Sequence, residues 1–230
     1  MNVFFTKKAP FSRKLLVALL LLLPLFFAFS SSCKKPTEYF DYVSELRDDV
    51  FLAESDGFSL KIYSVTKETP YKTDGIPRET TTRTEIYLVA PAGDKPCMLS
   101  FRIGEQEFGG DMSFDNVRGE YYFSCTLNVA GQGSIACSID YGGQKLELNA
   151  ISVVDGETLA PKRVLELVRN AEKELFDSLT DKYGFAGEIY LRLLYEDAAY
   201  YYVGVIDRDM NVYAFLVNAK TGKILAKRQS

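Results

Sequence analysis

Ser134-Ile135-Ala136-Cys137-Ser138-Ile139-Asp140-Tyr141-Gly142-Gly143-Gln144-Lys145-Leu146-Glu147-Leu148-Asn149-Ala150-Ile151-Ser152 is the stretch from which the fold is read. Ile135, Cys137, Ile139 and Tyr141 alternate with small or polar residues, and successive side chains of a strand point to opposite faces, so one face of this run is apolar. Gly142-Gly143 has the backbone freedom that a two-residue hairpin turn demands. The residues beyond it, 145–152, resume the alternation. Upstream, residues 58–65, 84–89, 97–103 and 121–129 show the same strand-like pattern. Pro91 with Gly93 and Asp94, Gly104, Gly109-Gly110, and Gly131 with Gly133 punctuate these runs as turns. Strands at this spacing with no helix between them predict an antiparallel β-sandwich over residues 58–155. An immunoglobulin-like order is one such sandwich, but the chain has no tryptophan to fill its usual core position, so the strand order stays open.

A second body is expected over 156–230. Pro161 suits the first position of a helix, and Val164, Val168, Ala171, Leu175 and Leu179 recur at three- and four-residue intervals up to Tyr183 and a terminating Gly184. The opposite side, with Arg163, Glu166, Arg169, Glu172, Lys173 and Asp177, reads as a solvated face. Strands are expected at 188–195, 200–206, 212–218 and 223–227, joined by hairpin-length turns. The simplest closure packs the helix on one face of a four-stranded antiparallel meander. The whole chain is thus read as α+β.

Residues 34–57 precede the sandwich as tether and entry segment. Within them, Phe40, Val43 and Leu46 after Thr37 fit a short helix over 38–50. Asp48, Asp49 and the turn-like Ser55-Asp56-Gly57 fit an extended pair instead. Between the first two sandwich strands, the polar stretch 66–83, with Pro70, Gly75 and Pro77, reads as a mobile or partner-contacting loop.

The run Tyr213-Ala214-Phe215-Leu216-Val217-Asn218-Ala219-Lys220-Thr221-Gly222-Lys223-Ile224-Leu225 resembles the closing hairpin of PepSY domains, with Asn218 where that family usually has aspartate. The resemblance implies a PepSY- or cystatin-like helix-on-meander and a regulatory or inhibitory role toward an exported peptidase or sensor. It implies no catalysis.

At the N-terminus, Lys7, Lys8, Arg13 and Lys14 precede an apolar run from Leu15 to Phe29 that contains Pro24. This is the pattern of a secretory signal, and the run is too short to span a bilayer comfortably. Ser30-Ser31-Ser32-Cys33 resembles the lipobox of bacterial lipoproteins, although Ser30 stands where that motif prefers leucine. The resemblance implies that residues 1–33 are a signal segment ending at a lipid-bearing cysteine. Palmitate or a similar acyl chain on Cys33 would then hold the protein at the outer face of a bacterial membrane. The alternative is an ordinary residue just past a conventional cleavage site. Removing this segment takes away four basic and no acidic side chains, so the mature chain is more acidic than the −4 of the whole. Such a balance does not suit nucleic acid, whose binding depends on neutralising phosphates.

The chain contains no histidine, which excludes Ser-His-Asp and Cys-His catalysis and histidine metal ligands. A carboxylate pair acting as a hydrolase is the outside alternative. Cys97, Cys125 and Cys137 form no Cys-x-x-Cys motif and read as small buried hydrophobes. If 121–129 and 134–141 formed a hairpin, Cys125 and Cys137 would be diagonal neighbours, for which a disulfide is possible but not expected. Asp207-Arg208-Asp209-Met210-Asn211 has part of the spacing of a calcium loop, but Val212 and Asn218 replace its glycine and closing glutamate, and a turn explains it better. No cofactor and no metal are expected. Tyr200, Tyr201 and Tyr202, with Tyr190, Tyr195 and Tyr213 nearby, are the candidate contact surface for an extracellular protein, peptide or glycan. Ordinary sheet packing is the competing reading.

Overall fold

The computed structural model describes residues 37–230 apart from 71, 73–75 and 92. The signal segment and Cys33 lie outside the described residues. The body is mostly strand and is organised by one long strand, β1 (Val43–Ser55), which follows a single 3-10 turn at Tyr39–Tyr42. Of the two readings of 38–50, the extended one holds and the helix does not form. The physical reason is non-local: β1 pairs along one side with β2 (Phe58–Glu68), and along the other first with β12 (Gly187–Tyr195) and then with β9 (Gln144–Ser152). These backbone ladders on both flanks outweigh a weak helical spacing. Asp56 and Gly57 make the β1–β2 turn with φ of 50° and 81°.

From β1 the sheet runs through β2 to β3 (Thr80–Val89), β7 (Glu120–Cys125) and β6 (Ser113–Asp115). In the other direction it runs through β9 to β8 (Ser134–Tyr141), β4 (Cys97–Ile103) and β5 (Gln106–Asp111). Only Met112 separates β5 from β6, and its N–H donates to the Cys97 carbonyl at 2.9 Å. Eight antiparallel strand positions therefore form a nearly closed ring around a core that includes Phe51, Leu60, Ile62, Ile86, Phe101, Tyr121 and Ile139. Gly109 and Gly110 do not turn the chain as the sequence suggested. They lie inside β5, where a Cβ on Gly109 would sit 2.1 Å from the Leu99 carbonyl oxygen. Nor do β7 and β8 form a hairpin with each other: β7 pairs with β3 and β6, and β8 with β4 and β9. Cys97, Cys125 and Cys137 are all free thiols. Burial pushes Cys97 up to about 11 and Cys137 up to about 12.

The second core lies under α1 (Pro161–Ala171) and α2 (Lys173–Ser178), which cover a meander of β12, β13 (Ala199–Asp207), β14 (Val212–Asn218) and β15 (Ile224–Gln229). Pro161 occupies the first helical turn as expected. The helix is shorter than its apolar spacing implied, breaking at Glu172 and ending at Ser178. The chain then folds back through a two-residue pair, β10 (Thr180–Asp181) and β11 (Gly184–Phe185), which stacks Phe185 on Phe176 with centroids 5.8 Å apart. Tyr39 meets both rings edge-on. Gly222 closes the β14–β15 turn at φ 71°, and a Cβ there would lie 2.3 Å from Leu167 Cδ1 on the helix. Asn218 Oδ1 accepts from the Lys220 and Thr221 backbone N–H groups and from the Thr221 hydroxyl.

The two cores meet at β1, with Val50 buried in the second and Phe51 in the first. The boundary near residue 155 is thus a change of core within a continuous sheet. The sheet branches at a bulge between Arg47 and Asp49. There the Asp49 carboxylate accepts from Ser152 Oγ at 2.6 Å, from Val50 N at 2.8 Å and from Gly131 N at 3.2 Å. It thereby ties three segments to the branch and satisfies amides that would otherwise be stranded.

Candidate functional site

Residues directly opposite in a ladder share a face, so the registers define rows across the sheet. One row runs Arg83, Val65, Arg47, Arg192, Tyr202, Leu216; the next runs Thr81, Lys67, Glu45, Tyr190, Gly204, Ala214. Tyr122, Tyr87 and Lys61 form a third, and Glu85 faces Tyr63 in a fourth. Together these rows make a tyrosine–arginine face that crosses the seam between ring and meander.

Of the three tyrosines singled out in the sequence, only two lie on this side. Tyr201 is 1 % exposed and belongs to the second core, its hydroxyl donating to the Leu159 carbonyl at 3.0 Å. Strand alternation requires the split, since Tyr201 shares its side with buried Val203 and Val205. Tyr200 donates to Asp197 Oδ1 at 2.8 Å at the end of the β12–β13 hairpin. Tyr202 lies toward the centre of the face, and Gly204 beside it leaves room for the rings: a Cβ there would approach Tyr202 to 3.0 Å and Tyr190 to 3.4 Å. Tyr195 and Tyr213 lie elsewhere, each beside a different depression of the surface.

Two cations of the face, Arg192 and Lys67, are paired with buried carboxylates. Glu45, 7 % exposed, takes Arg192 in two parallel bonds, Nε at 2.9 Å and Nη2 at 2.7 Å. Lys67 Nζ lies 3.2 Å from Glu85 Oε1 and 3.9 Å from Glu45 Oε1. The Tyr87 hydroxyl donates to Glu85 Oε2 at 3.2 Å. The guanidinium of Arg192 sits 4.7 Å from the Tyr190 ring centre, and that of Arg47 sits 4.0 Å over Tyr63. Tyr63, Tyr87 and Tyr122 continue ring against ring at 5.6 and 5.1 Å. Glu45 thus fixes the Arg192 fork and Glu85 holds Lys67, while Arg47 rests on the Tyr63 ring. The paired forks and stacked rings lose little freedom when a partner arrives. Burial, with Glu85 close by, pushes the Tyr87 phenol up from its ordinary value, so it remains a neutral donor. This pattern spans residues far apart in sequence, so no local motif announced it.

A separate cleft of about 500 Å³ brings Asp155 and Asp197 near Tyr195, Ile151 and Lys220. Asp155 is held down at about 2 by the Lys220 ammonium 2.6 Å away and by turn N–H groups, so it stays ionised and donates no proton near neutral pH. The calcium-like run is a turn: Asp207 accepts from the backbone N–H groups of Asp209 and Asn211 and from the Asn211 side chain. Among the described residues no cluster of three or more acidic or cysteine side chains could hold a metal ion, and no helix is long and apolar enough to cross a membrane. Comparison of the chain with protein-family models, curated proteins and solved structures gives no match, and the reading of the site rests on its geometry.

Proposed function

We propose that the chain is a noncatalytic envelope lipoprotein, held by a lipid on Cys33 at the outer face of a bacterial membrane, which binds a protein, peptide or glycan through the tyrosine–arginine face. The observation that carries this reading is the continuity of Tyr122, Tyr87, Tyr63, Arg47, Arg192 and Tyr202 across strands of both cores. Tyrosine and arginine dominate binding hot spots because they offer large, stiff contact areas with a polar tip. Noncatalytic action is favoured by the absence of histidine and by the Lys220 ammonium, which holds Asp155 ionised near neutral pH and so takes that carboxyl out of use as a proton donor.

A second reading is a PepSY-like regulatory module acting on an exported peptidase or sensor. It is supported by the helix stripe Val164, Leu165 and Val168 buried against a four-stranded meander, and by the Asn218–Gly222 turn. Affinity capture from envelope extract, with wild-type chain and with a Tyr87→Ala/Tyr202→Ala variant, tests both. Capture of a polysaccharide or structural protein by the wild type alone supports the first reading, and capture of a peptidase or sensor supports the second. Equal recovery by the variant removes the face from either.

A further inference from the structure

Ring closure and the β1–β12 pairing cover every edge of the meander among the described residues except one, that of β15. Ser230 and Val212 exchange both backbone bonds, at 2.9 and 3.1 Å, and Arg228 lies opposite Ala214. In an antiparallel ladder, bonded and non-bonded pairs alternate, so Lys227 and Gln229 turn their N–H and C=O groups outward. Beside this edge, between β15 and the α2 segment, opens a groove of about 630 Å³ lined by Glu172, Leu175, Tyr213, Phe215, Lys227 and Gln229. Phe215 faces Lys227 across the ladder and Tyr213 faces Gln229, so the groove side of the edge is aromatic. The Lys227 ammonium is paired with Glu172. Arg228, exposed and also at the border of the groove, falls by strand alternation on the opposite side of β15 from Lys227 and Gln229.

These features select an occupant. The outward amides require an extended backbone. Side chains entering the groove meet Tyr213 and Phe215, whereas those on the other side pass Arg228. A second copy paired antiparallel about Lys227 would set that lysine against its own counterpart, and one paired about Arg228 would do the same to the arginine, and like charges directly opposite repel. We propose that β15 is a strand-addition site for an extended partner segment in which apolar and acidic residues alternate. The site borders the tyrosine–arginine face, whose row Tyr190, Gly204 and Ala214 ends at Arg228, but it binds through the β15 main chain, which that face does not use.

The test titrates the full chain, in detergent micelles, with a fluorescent peptide of alternating valine and glutamate and with its valine–lysine counterpart. The glutamate peptide should bind at least roughly tenfold tighter and protect the amides of Lys227 and Gln229 from hydrogen exchange. Gln229→Pro deletes only an outward N–H, which an edge strand tolerates, and should weaken binding roughly tenfold with the melting temperature unchanged. Should that variant fold poorly, Arg228→Glu decides by reversing the peptide preference. Absence of binding by the glutamate peptide, protection confined to another segment, unchanged affinity in folded Gln229→Pro, or a preference that survives Arg228→Glu would each overturn the proposal. Self-association through β15, seen by sedimentation and unaffected by the peptide, would overturn it as well.

Discussion

The ring and the meander are both antiparallel sheets, but they hide their apolar faces in different ways. The ring curls until strand faces strand, so Phe51, Phe101, Tyr121 and Ile139 are enclosed almost wholly by backbone of their own kind. The meander stays open and takes a helical cover, with Val164, Val168 and Phe176 closing over Ile189, Val203 and Phe215. Closure uses up strand edges, whereas the open sheet retains one edge and one bare face. The free strand edge of β15 therefore falls on the meander, whereas the tyrosine row Tyr63, Tyr87 and Tyr122 lies on the outside of the ring and runs to the seam. The strand β1 belongs to both bodies.

Phe176→Ala should damage the helical cover of the meander most severely. It empties the contact of Phe176 with Phe185 and Tyr39, and a loss of about 3–5 kcal/mol is expected in urea unfolding. Because β1 is shared, fluorescence and circular dichroism should still report one transition, whereas two separated transitions would show the cores to be independent. Gly109→Ala attacks the ring. The added Cβ meets backbone, not a movable side chain, and a loss of about 3 kcal/mol follows from strain and overpacking. At the seam, Glu45→Gln leaves Arg192 without its forked partner, at a cost of about 1–2 kcal/mol after allowing for the partial exposure of the arginine. A double-mutant cycle with Arg192→Met isolates that coupling.

The smallest effect lies at the branch and is pH-dependent. Burial raises Asp48 above its ordinary 3.8, so folding favours the protonated form. Its contribution to stability is greatest in acid and declines as pH rises through the raised folded value. Asp48→Asn should therefore be somewhat more stable than wild type at neutral pH, with the advantage gone below pH 3.8. A gap that persists in acid would contradict this assignment.

Much of the fold was legible because period-two alternation is a local signal. The strands at 97–103, 134–141 and 212–218 stand where the residues placed them. β5 was missed because glycine carries no side chain to mark a face, and Gly109 is needed only once Leu99 is alongside. The helical spacing of Phe40, Val43 and Leu46 misled because the partners of β1 lie up to 147 residues away, as in the Glu45–Arg192 pair. The helix end was overestimated for a similar reason, since Phe185 returns to cover Phe176 and the chain must leave the helix to bring it there. For the site, alternation showed that Tyr200, Tyr201 and Tyr202 divide between faces, but which side is buried depends on where the helix packs. Arg47, Tyr63, Tyr87 and Tyr122 became a surface only through the registers of non-local strand pairs.

Tyrosine footprinting offers the most direct test of the claim that the face across β1 is where a partner sits. Nitration of the protein in the cells that make it is compared, residue by residue, with nitration of the purified chain in detergent. Tyr183, 82 % exposed, serves as the reactive reference, and buried Tyr121 and Tyr201 as the inert ones. Tyr87, Tyr122, Tyr190 and Tyr202 should be shielded in the cells while Tyr183 reacts equally in both settings. Identical labelling of those four tyrosines in the two settings would contradict it.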